Sequence, residues 1–329
     1  IRAHAVNDYF EPILKHPDAA LFHVVCYSDT QKADTTTERL KSLSAGWRDI
    51  QKLSDDEVSR QIRDDEIDIL IDLSGYTRHN RLGVFAGRAA AVQVTYLGYP
   101  ATTGLKNMDF RIVDSTTVPD HEHDTGSEQL IRLQQVFACF DPPAKAPPIA
   151  PSPLTRHGFI TFGSFHKLEK INARVVELWS RLLKRIPGSR LLLVRDNLDD
   201  WQQQRLQKAF EVAGIEPERI EMRQWRSSEG SFLELFEEID VSLDCFPWSG
   251  HTMACMSLWM GVPVIALSGD RHVARMVASV LRALGLDDWI ADDHGAYVNI
   301  AIRCAADGSG LTLLRQTLRD RMSASALLD

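Results

Sequence analysis

The residue types that most clearly point to chemistry are Gly250, His251 and Thr252, which stand together in the second half of the chain. The sequence around them predicts a βαβ unit. Its predicted parts are a strand at 241–243, a turn at 246–250, a helix at 251–260 and a second strand at 262–267. In such a unit the helix N-terminus lies at the carboxyl edge of the sheet, where backbone N–H groups and the helix dipole attract an anion. We therefore expect a phosphate here, with Gly250 allowing close approach, His251 beside it and Thr252 adding a hydroxyl donor.

Lys170 is a second candidate, because it follows a predicted strand at 159–164. The chain turns there toward the next helix, so the ammonium group is expected at the same sheet edge as the predicted phosphate site. A fixed cation at that edge can stabilise negative charge on a phosphate group. A lone lysine on a loop is more often only solvated, so its position alone does not establish a catalytic role.

Two groups in the first half of the chain are also candidates. His4 opens a predicted helix, and an imidazole, whose ordinary pKa is about 6.5, suits proton transfer near neutral pH. Most histidines at the start of a helix are only solvent exposed. Thr102, Thr103 and Gly104 follow a tyrosine-proline pair and predict a turn. A surface turn without a function is an equally good interpretation of these three residues.

Four further residues in the second half of the chain are also candidates. Trp225 and Arg226 follow a predicted strand at 219–224, where an aromatic ring could stack on a nucleotide base. The sequence does not indicate which base that would be. His272 and Arg275 begin a predicted helix and are candidates for contact with a ligand bound at this site. A helix that lines a pocket without touching its ligand explains these two residues equally well.

Five stretches of the sequence together resemble the catalytic C-terminal half of the O-GlcNAc transferase and SPINDLY glycosyltransferases, a glycosyltransferase family 41-like pattern. The first three are Arg-x-His-Ala-Val at 2–6, Asp-Leu-Ser-Gly-Tyr-Thr at 72–77 and Gln-Val-x-Tyr-Leu-Gly-Tyr-Pro-x-Thr-x-Gly at 93–104. The others are Phe-Gly-Ser-Phe-His-Lys-Leu-Glu-Lys-Ile at 162–171 and the run at 240–275 that contains Gly-His-Thr and Gly-Asp-Arg-His-Val-Ala-Arg. They occur in the family's order and roughly at its spacing, and they cover nearly the whole chain.

The resemblance implies a GT-B fold, in which two Rossmann-like, doubly wound α/β domains face a cleft. It implies that the second domain holds a nucleotide sugar and that the acceptor enters between the domains. Lys170 would correspond to the family's lysine that stabilises the leaving group. His4 would correspond to the active-site histidine, which faces the sugar and the acceptor and whose role as general base is not settled. The turn at 102–104 would face the same cleft.

Three residues depart from the family's pattern. Met256 stands where many relatives carry an acidic residue that accepts hydrogen bonds from ribose hydroxyls, Met253 replaces a threonine, and Ala101 replaces a glycine. A methionine thioether accepts hydrogen bonds only weakly. We therefore expect impaired recognition of the ribose, with weak donor binding or a loss of activity as open outcomes.

The leading interpretation is an inverting, metal-independent glycosyltransferase that moves N-acetylglucosamine from UDP-GlcNAc to Ser or Thr hydroxyls of proteins. No Asp-x-Asp motif stands in a strand-end loop to hold Mg²⁺, so we predict no metal site and no cofactor. One alternative is a SPINDLY-type O-fucosyltransferase that uses GDP-fucose. Another is a nucleotide-sugar-binding domain without turnover, which Met253 and Met256 favour.

The acceptor's selection is expected to depend on residues outside this sequence. Family members usually carry N-terminal tetratricopeptide repeats that select the acceptor protein, and no repeat of that kind is evident here. The sequence also opens directly on a helical pattern, whereas an α/β domain normally begins with a strand. We therefore expect a catalytic region whose first strand and repeats lie upstream.

Strands and helices alternate along the whole sequence, as parallel α/β sheets require. Residues 1–140 predict an N-terminal domain, with strands at 21–27, 47–50, 67–73, 91–97 and 109–113 and helices at 35–43, 55–65 and 80–86. Ile69, Leu70 and Ile71 are apolar on both faces, so we expect that sheet to be covered on both sides. A proline-rich stretch at 141–153 predicts an interdomain linker.

Residues 154–329 predict a second domain of the same class. Its predicted strands are at 159–164, 190–194 and 219–224, and its predicted helices are at 172–186, 201–213, 229–238, 271–284, 294–305 and 311–322, besides the βαβ unit. In the helix at 172–186 the apolar residues Val175, Trp179, Leu182, Leu183 and Ile186 share one face.

The composition of the 329 residues, 44% hydrophobic and 25% charged, is that of a globular protein. A net charge of −8 argues against a nucleic-acid-binding surface. No apolar run approaches the ~20 residues that cross a membrane. The five scattered cysteines fit free thiols in a reducing cytoplasm.

Overall fold

The computed structural model describes residues 4–122 and 124–329, and the chain divides after Asp141 into two compact units. Every strand pairing in the described residues is parallel, as expected for alternating strands and helices. The described residues contain no helix that is both long and apolar enough to cross a membrane.

The first unit holds a four-stranded sheet and a separate pair of strands. Its elements are α1 (Asn7–Lys15), β1 (Val25–Ser28), α2 (Thr35–Leu43), β2 (Gly46–Asp49), α3 (Asp55–Asp64), β3 (Ile69–Asp72), α4 (Leu82–Ala86), β4 (Val92–Thr95), β5 (Phe110–Asp114) and β6 (Gln129–Leu133). The larger sheet has the order β3-β4-β5-β6, and β1 pairs with β2. The helix predicted at 35–43 has those bounds because Asp34 and Thr37 form a reciprocal capping box at its N-terminus.

The expectation that both faces of β3 are covered is wrong for the described residues. Leu70 packs into the core beneath α3 and α4, but Ile69 and Ile71 on the other face are 51% and 48% exposed. The described helices that pack on this strand lie on one side only, so alternate residues remain in contact with solvent. Strand β6, which the sequence analysis did not predict, continues this half-exposed face at Ile131 and Leu133.

The second unit is built on a six-stranded parallel sheet of order β12-β11-β10-β7-β8-β9. Its elements are α5 (Pro153–His157), β7 (Thr161–Ser164), α6 (Ala173–Arg185), β8 (Arg190–Arg195), α7 (Asp200–Val212), β9 (Ile220–Gln224), β10 (Val241–Leu243), α8 (Thr252–Trp259), β11 (Val264–Leu267), α9 (His272–Ala283), β12 (Ile290–Ala291), α10 (His294–Ala306) and α11 (Gly308–Ser323). The apolar face predicted for α6 is buried in the main core of this unit, with Trp179 fully enclosed. The sheet order brings the carboxyl ends of β10, β7, β8 and β9 side by side.

One helix of the second unit differs from its predicted form. The stretch at 229–238 was expected to be an α-helix, but two 3₁₀ helices, Ser227–Glu229 and Phe232–Glu238, stand there instead. Gly230 has a φ of 117°, which no helix accommodates, and the Ser231 hydroxyl then accepts a hydrogen bond from the Leu233 N–H. The backbone of Gly230 therefore delays the start of the helix.

The proline-rich stretch after Asp141 packs within the second unit. Arg315 of α11 is buried, and its guanidinium donates to the carbonyls of Ala150, Phe236 and Ile239 at 2.7 to 3.0 Å. Burial lowers the pKa of Arg315 to about 10. These bonds attach the stretch to α11 and to the chain before β10.

Candidate functional site

The turn between β10 and α8 is fixed by backbone hydrogen bonds on two sides. The Gly250 N–H donates to the Asp244 carboxylate at 2.6 Å, from below the turn. The Ser249 N–H donates to the carbonyl of Val273, and the Val277 N–H donates to the Ser249 hydroxyl, both from α9. The turn is therefore held in one conformation between the end of β10 and the first turns of α9.

Gly250 has a structural role that the sequence did not predict. Its N–H is already bonded to Asp244, so it is not available to a phosphate. A Cβ atom at this position would lie 2.2 Å from Cε1 of His166 and 3.1 Å from Oδ1 of Asp244. The glycine is required because the His166 imidazole packs directly against the turn.

The N-terminus of α8 lies at the predicted phosphate site. The helix begins at Thr252, and no side chain forms a cap hydrogen bond at His251. Its N-terminal backbone N–H groups and dipole are the anion-binding features that the sequence predicted. Burial, and then the positive charge of Lys170, lowers the pKa of the half-buried His251 to about 3, so its imidazole is neutral at pH 7.

Lys170 lies against the same turn. It ends a short 3₁₀ helix, Leu168–Lys170, after β7, and its Nζ donates to the carbonyl of Ser249 at 2.7 Å. Nζ also lies 5.8 Å from the centroid of the Trp248 ring. Burial lowers the pKa of Lys170, and the Asp244 carboxylate partly counteracts this effect. The structure thus brings together Lys170, the turn at 249–251 and the N-terminus of α8.

Two buried residues beneath the turn were not predicted. The Asp244 side chain is fully enclosed, and its Oδ1 lies 3.4 Å from Nε2 of His166. Burial raises the pKa of Asp244 to about 7, against the effects of the Gly250 N–H and of Lys170. Burial, and then Lys170 and Arg195, lowers the pKa of His166 to about 3. The pair supports the turn and places a titratable carboxyl beneath it.

These two shifts predict opposite effects of pH on stability. The unfolded chain binds a proton at His166 below about pH 6.5, whereas the folded chain does not until about pH 3, so this residue costs stability as the pH falls through that window. Asp244 is protonated in the folded chain below about pH 7 and in the unfolded chain only near its ordinary value, 3.8, so it stabilises the fold over the same fall in pH.

We expect Asp244→Asn to steepen the loss of unfolding free energy between pH 7 and pH 4.5, and His166→Asn to reduce it. Each change should amount to roughly 2 kcal/mol or more at pH 4.5, because one pKa unit corresponds to about 1.4 kcal/mol. Urea denaturation of the two variants and the wild type at both pH values measures this. Equal pH dependence in all three proteins would contradict the raised pKa of Asp244 and the lowered pKa of His166 in the folded chain.

A cavity of about 400 Å³ opens beside α8. It is lined by Pro143, Arg195, Asp196, Trp225, Ser231, Phe232, Leu233, Met253 and Met256. The rings of Trp225 and Phe232 pack edge to face, with their centroids 5.3 Å apart, so the wall of the cavity presents aromatic surface. Trp225 is therefore where the sequence analysis expected a base-stacking residue, whereas the exposed Arg226 is not among the lining residues.

His272 and Arg275 lie at the start of α9, as predicted, but both are buried. Nε of Arg275 donates to the carbonyl of Gly269 at 2.6 Å. This bond attaches the helix to the loop after β11. The geometry supports the interpretation that this helix lines the site and shapes it.

The candidate residues of the first unit form a separate cluster around Glu128, which the sequence analysis missed. The hydroxyls of Thr102 and Thr103 and the N–H of Thr103 all donate to the Glu128 carboxylate, at 2.5 to 2.6 Å. Although burial raises the pKa of Glu128, these bonds hold it below its ordinary value. The Thr103 hydroxyl is therefore used within the protein, and Gly104, at a φ of 68°, completes a rigid turn.

His4 lies on the surface of the first unit. Its Nδ1 accepts a hydrogen bond from the Val6 N–H at 3.2 Å, just before α1. An exposed imidazole at this position can exchange protons with solvent or with a ligand. No group of three or more His, Cys, Asp or Glu side chains in residues 4–122 and 124–329 is arranged to hold a metal ion.

Comparison with known proteins places this geometry in a family. The chain is 39% identical, over 99% of its length, to a tomato (Solanum lycopersicum) protein described as a probable UDP-N-acetylglucosamine--peptide N-acetylglucosaminyltransferase SPINDLY. The match covers 36% of that relative, so the chain spans about a third of its length.

Solved structures show the same fold. An O-GlcNAc transferase from Thermobaculum terrenum, solved as a mutant, is 36% identical and superimposes with a TM-score of 0.92, covering 98% of this chain and 61% of its own. Anabaena HepE, solved with UDP and glucose, is 12% identical with a TM-score of 0.55, covering 92% of this chain and 87% of its own. The architecture is thus the predicted α/β GT-B class with Rossmann-like domains. The profile of the family described as Glycosyl transferase family 41 matches residues 3–144 and 155–329, and the chain therefore belongs to that family.

Proposed function

We propose that this chain is the catalytic region of a glycosyltransferase that moves a sugar from a nucleoside diphosphate to a hydroxyl of a protein. The observation that carries the proposal is the position of the Lys170 ammonium at the turn before α8, the helix whose Met253 and Met256 line a cavity with aromatic walls. This arrangement offers a cation and a helix N-terminus to a diphosphate and aromatic rings to a base. The tomato relative's description as a UDP-N-acetylglucosamine--peptide transferase supports the same reaction.

The chemistry is a displacement at the anomeric carbon of the sugar. The acceptor oxygen forms a bond to that carbon while the bond to the diphosphate breaks, and the configuration inverts. The leaving diphosphate takes the electron pair, and Lys170 with the N-terminus of α8 stabilises its growing charge. The acceptor's proton passes to a base, for which His4 is a candidate. No metal ion or cofactor is needed in this scheme.

UDP-GlcNAc is the donor that we propose first, because the tomato relative's description includes it. GDP-fucose is the second candidate, since a cavity of about 400 Å³ also has room for a purine. The proposed acceptors are proteins, which tetratricopeptide repeats outside this sequence select. The proposed location is the cytoplasm. The five cysteines are all free thiols, which agrees with a reducing compartment.

Calorimetry with UDP, GDP and their sugars, paired with an assay for release of the sugar, tests the proposal. We expect UDP and UDP-GlcNAc to bind and the sugar to be released. Binding of GDP and GDP-fucose alone would select the second candidate. Binding of a nucleotide sugar without release would indicate a domain that has lost turnover, and the absence of any binding would refute the proposal.

Met256→Glu is expected to tighten nucleotide binding about tenfold or more. Met256 lines the cavity from α8, and a carboxylate there can accept a hydrogen bond from a ribose hydroxyl, which contributes roughly 1.5–3 kcal/mol. Calorimetry with UDP and GDP measures the change. Met260→Glu is not a suitable control, because Met260 is buried. Gln204→Glu, on the exposed side of α7, adds the same single negative charge and provides the matched control. Unchanged affinity in a folded Met256→Glu variant would show that this position does not face the ribose.

A further inference from the structure

Four functional groups follow four neighbouring strands of the second sheet. Thr252 follows β10, Lys170 follows β7, Asp196 directly follows β8, and Trp225 directly follows β9. The strands lie in the order β10-β7-β8-β9, and all of them are parallel. Their carboxyl ends therefore form one row, with the helix N-terminus and the cation at one end and the aromatic ring at the other.

The order of this row corresponds to the order of groups in a nucleoside diphosphate. Adjacent strands are about 4.8 Å apart, so the three intervals from β10 to β9 span roughly 14 Å. If the diphosphate lies at the β10 and β7 ends and the base at the β9 end, the ribose lies at the end of β8. The side chain presented at that end is Asp196.

Asp196 is suited to accept hydrogen bonds from a ligand. Its side chain lines the cavity and is 65% exposed. Oδ1 accepts from the Asn197 N–H at 3.1 Å and lies 3.2 Å from Nε of Arg195. These two contacts orient the carboxylate, and a carboxylate has acceptor sites on both oxygens. Oδ2 makes no hydrogen bond to the part of the chain that the structure describes, so it can face a ligand.

The opposite wall of the cavity offers no comparable acceptor. Met253 and Met256 face the cavity from α8, and thioethers accept hydrogen bonds only weakly. The hydroxyl of Ser231 already accepts from the Leu233 N–H. Among the described residues that line the cavity, Asp196 contributes the only carboxylate.

We infer that Asp196 recognises the ribose of the bound nucleotide by accepting hydrogen bonds from its hydroxyl groups. This inference rests on the proposed function, because it assigns a residue to the same nucleotide site. The carboxylate acts from β8, on the wall of the cavity that faces α8. Since the carboxylate binds the ribose and not the base, it contributes equally to the binding of uridine and guanosine nucleotides.

The test compares ribonucleotides with their 2′,3′-dideoxy forms by calorimetry. We expect the wild type to bind UDP, or GDP if that is the preferred base, about tenfold or more tightly than the dideoxy form. Asp196→Ala should weaken binding of the ribonucleotide by the same factor and leave binding of the dideoxy form unchanged. Asp196→Asn, which keeps one acceptor oxygen, should give an intermediate result. Asp200→Asn, the same change on an exposed residue four positions later, should have no effect.

The comparison with dideoxy nucleotides distinguishes recognition of the ribose from a structural role, because a distorted cavity would bind both forms more weakly. Equal weakening of both forms by Asp196→Ala would overturn the inference. It would also be overturned by weakening of GDP binding alone, which would assign Asp196 to a guanine base, and by no change at all. A wild type that binds neither UDP nor GDP would refute the proposed function together with this inference.

Discussion

Replacing Lys170 with alanine is expected to lower kcat for sugar transfer by about a hundredfold to a thousandfold. Its ammonium is held at the turn before α8 by the Ser249 carbonyl, so in the proposed reaction it would meet the charge that develops on the leaving diphosphate without reorganisation. Removal of one such preorganised group typically costs ~3 kcal/mol or more of transition-state stabilisation. The KM for the donor should rise much less than kcat falls, because most of this charge appears only as the bond breaks.

Lys167→Ala is the matched control for this variant. Lys167 lies three residues earlier in the same segment, and its side chain is exposed. It should retain wild-type kinetics, and both variants should unfold at the temperature of the wild type to within a few degrees. Near wild-type kcat in Lys170→Ala would show that the residue does not act on the leaving group.

Replacing Gly250 with alanine is expected to impair both the fold and nucleotide binding. The new Cβ atom would lie 2.2 Å from Cε1 and 2.9 Å from Nδ1 of His166, so either the imidazole or the turn must move. Such overpacking costs roughly 1–3 kcal/mol of unfolding free energy. A displaced turn would also move the Ser249 carbonyl away from Lys170 and shift the N-terminus of α8. We expect nucleotide affinity and kcat each to fall about tenfold or more.

Two further variants show whether the collision with His166 is the cause. Gly87→Ala is the control, since the nearest atom to its Cβ would lie at 3.5 Å, an ordinary contact, and its stability should be close to that of the wild type. His166→Gly combined with Gly250→Ala should recover part of the lost nucleotide affinity, because the smaller residue leaves room for the methyl group. Wild-type stability and affinity in Gly250→Ala alone would contradict the tight packing described here.

Local patterns in the sequence were sufficient to predict most of the second unit. The alternation of apolar runs with amphipathic stretches predicted β10, α8 and β11, and the periodicity of α6 predicted its buried face, because these features depend on neighbours within a few residues. The position of Lys170 on the loop after a predicted strand was enough to predict that it lies at the sheet edge, and its Nζ contacts the turn before α8.

Features that depend on distant parts of the chain were not predicted. Gly250 was expected to allow the close approach of a phosphate, but its role in leaving room for the His166 imidazole was not predicted, because His166 lies more than eighty residues earlier. Glu128, which holds Thr102 and Thr103, lies directly before β6, a strand that has no strong sequence signal. Asp196 directly follows an apolar strand, and this signal, which identified Lys170, could also have identified it. Its relation to the cavity depends on the strand order, which single-sequence patterns do not contain.

The most direct test of the proposed site is a crystal structure of this protein with UDP or GDP bound. We expect the diphosphate to lie within hydrogen-bond distance of the Lys170 ammonium and of the N-terminal N–H groups of α8, and the base to lie against Trp225. The ribose should lie beside Asp196. A nucleotide bound elsewhere on the chain, or bound in this cavity with its diphosphate away from Lys170, would contradict the assignment of this sheet edge as the donor site.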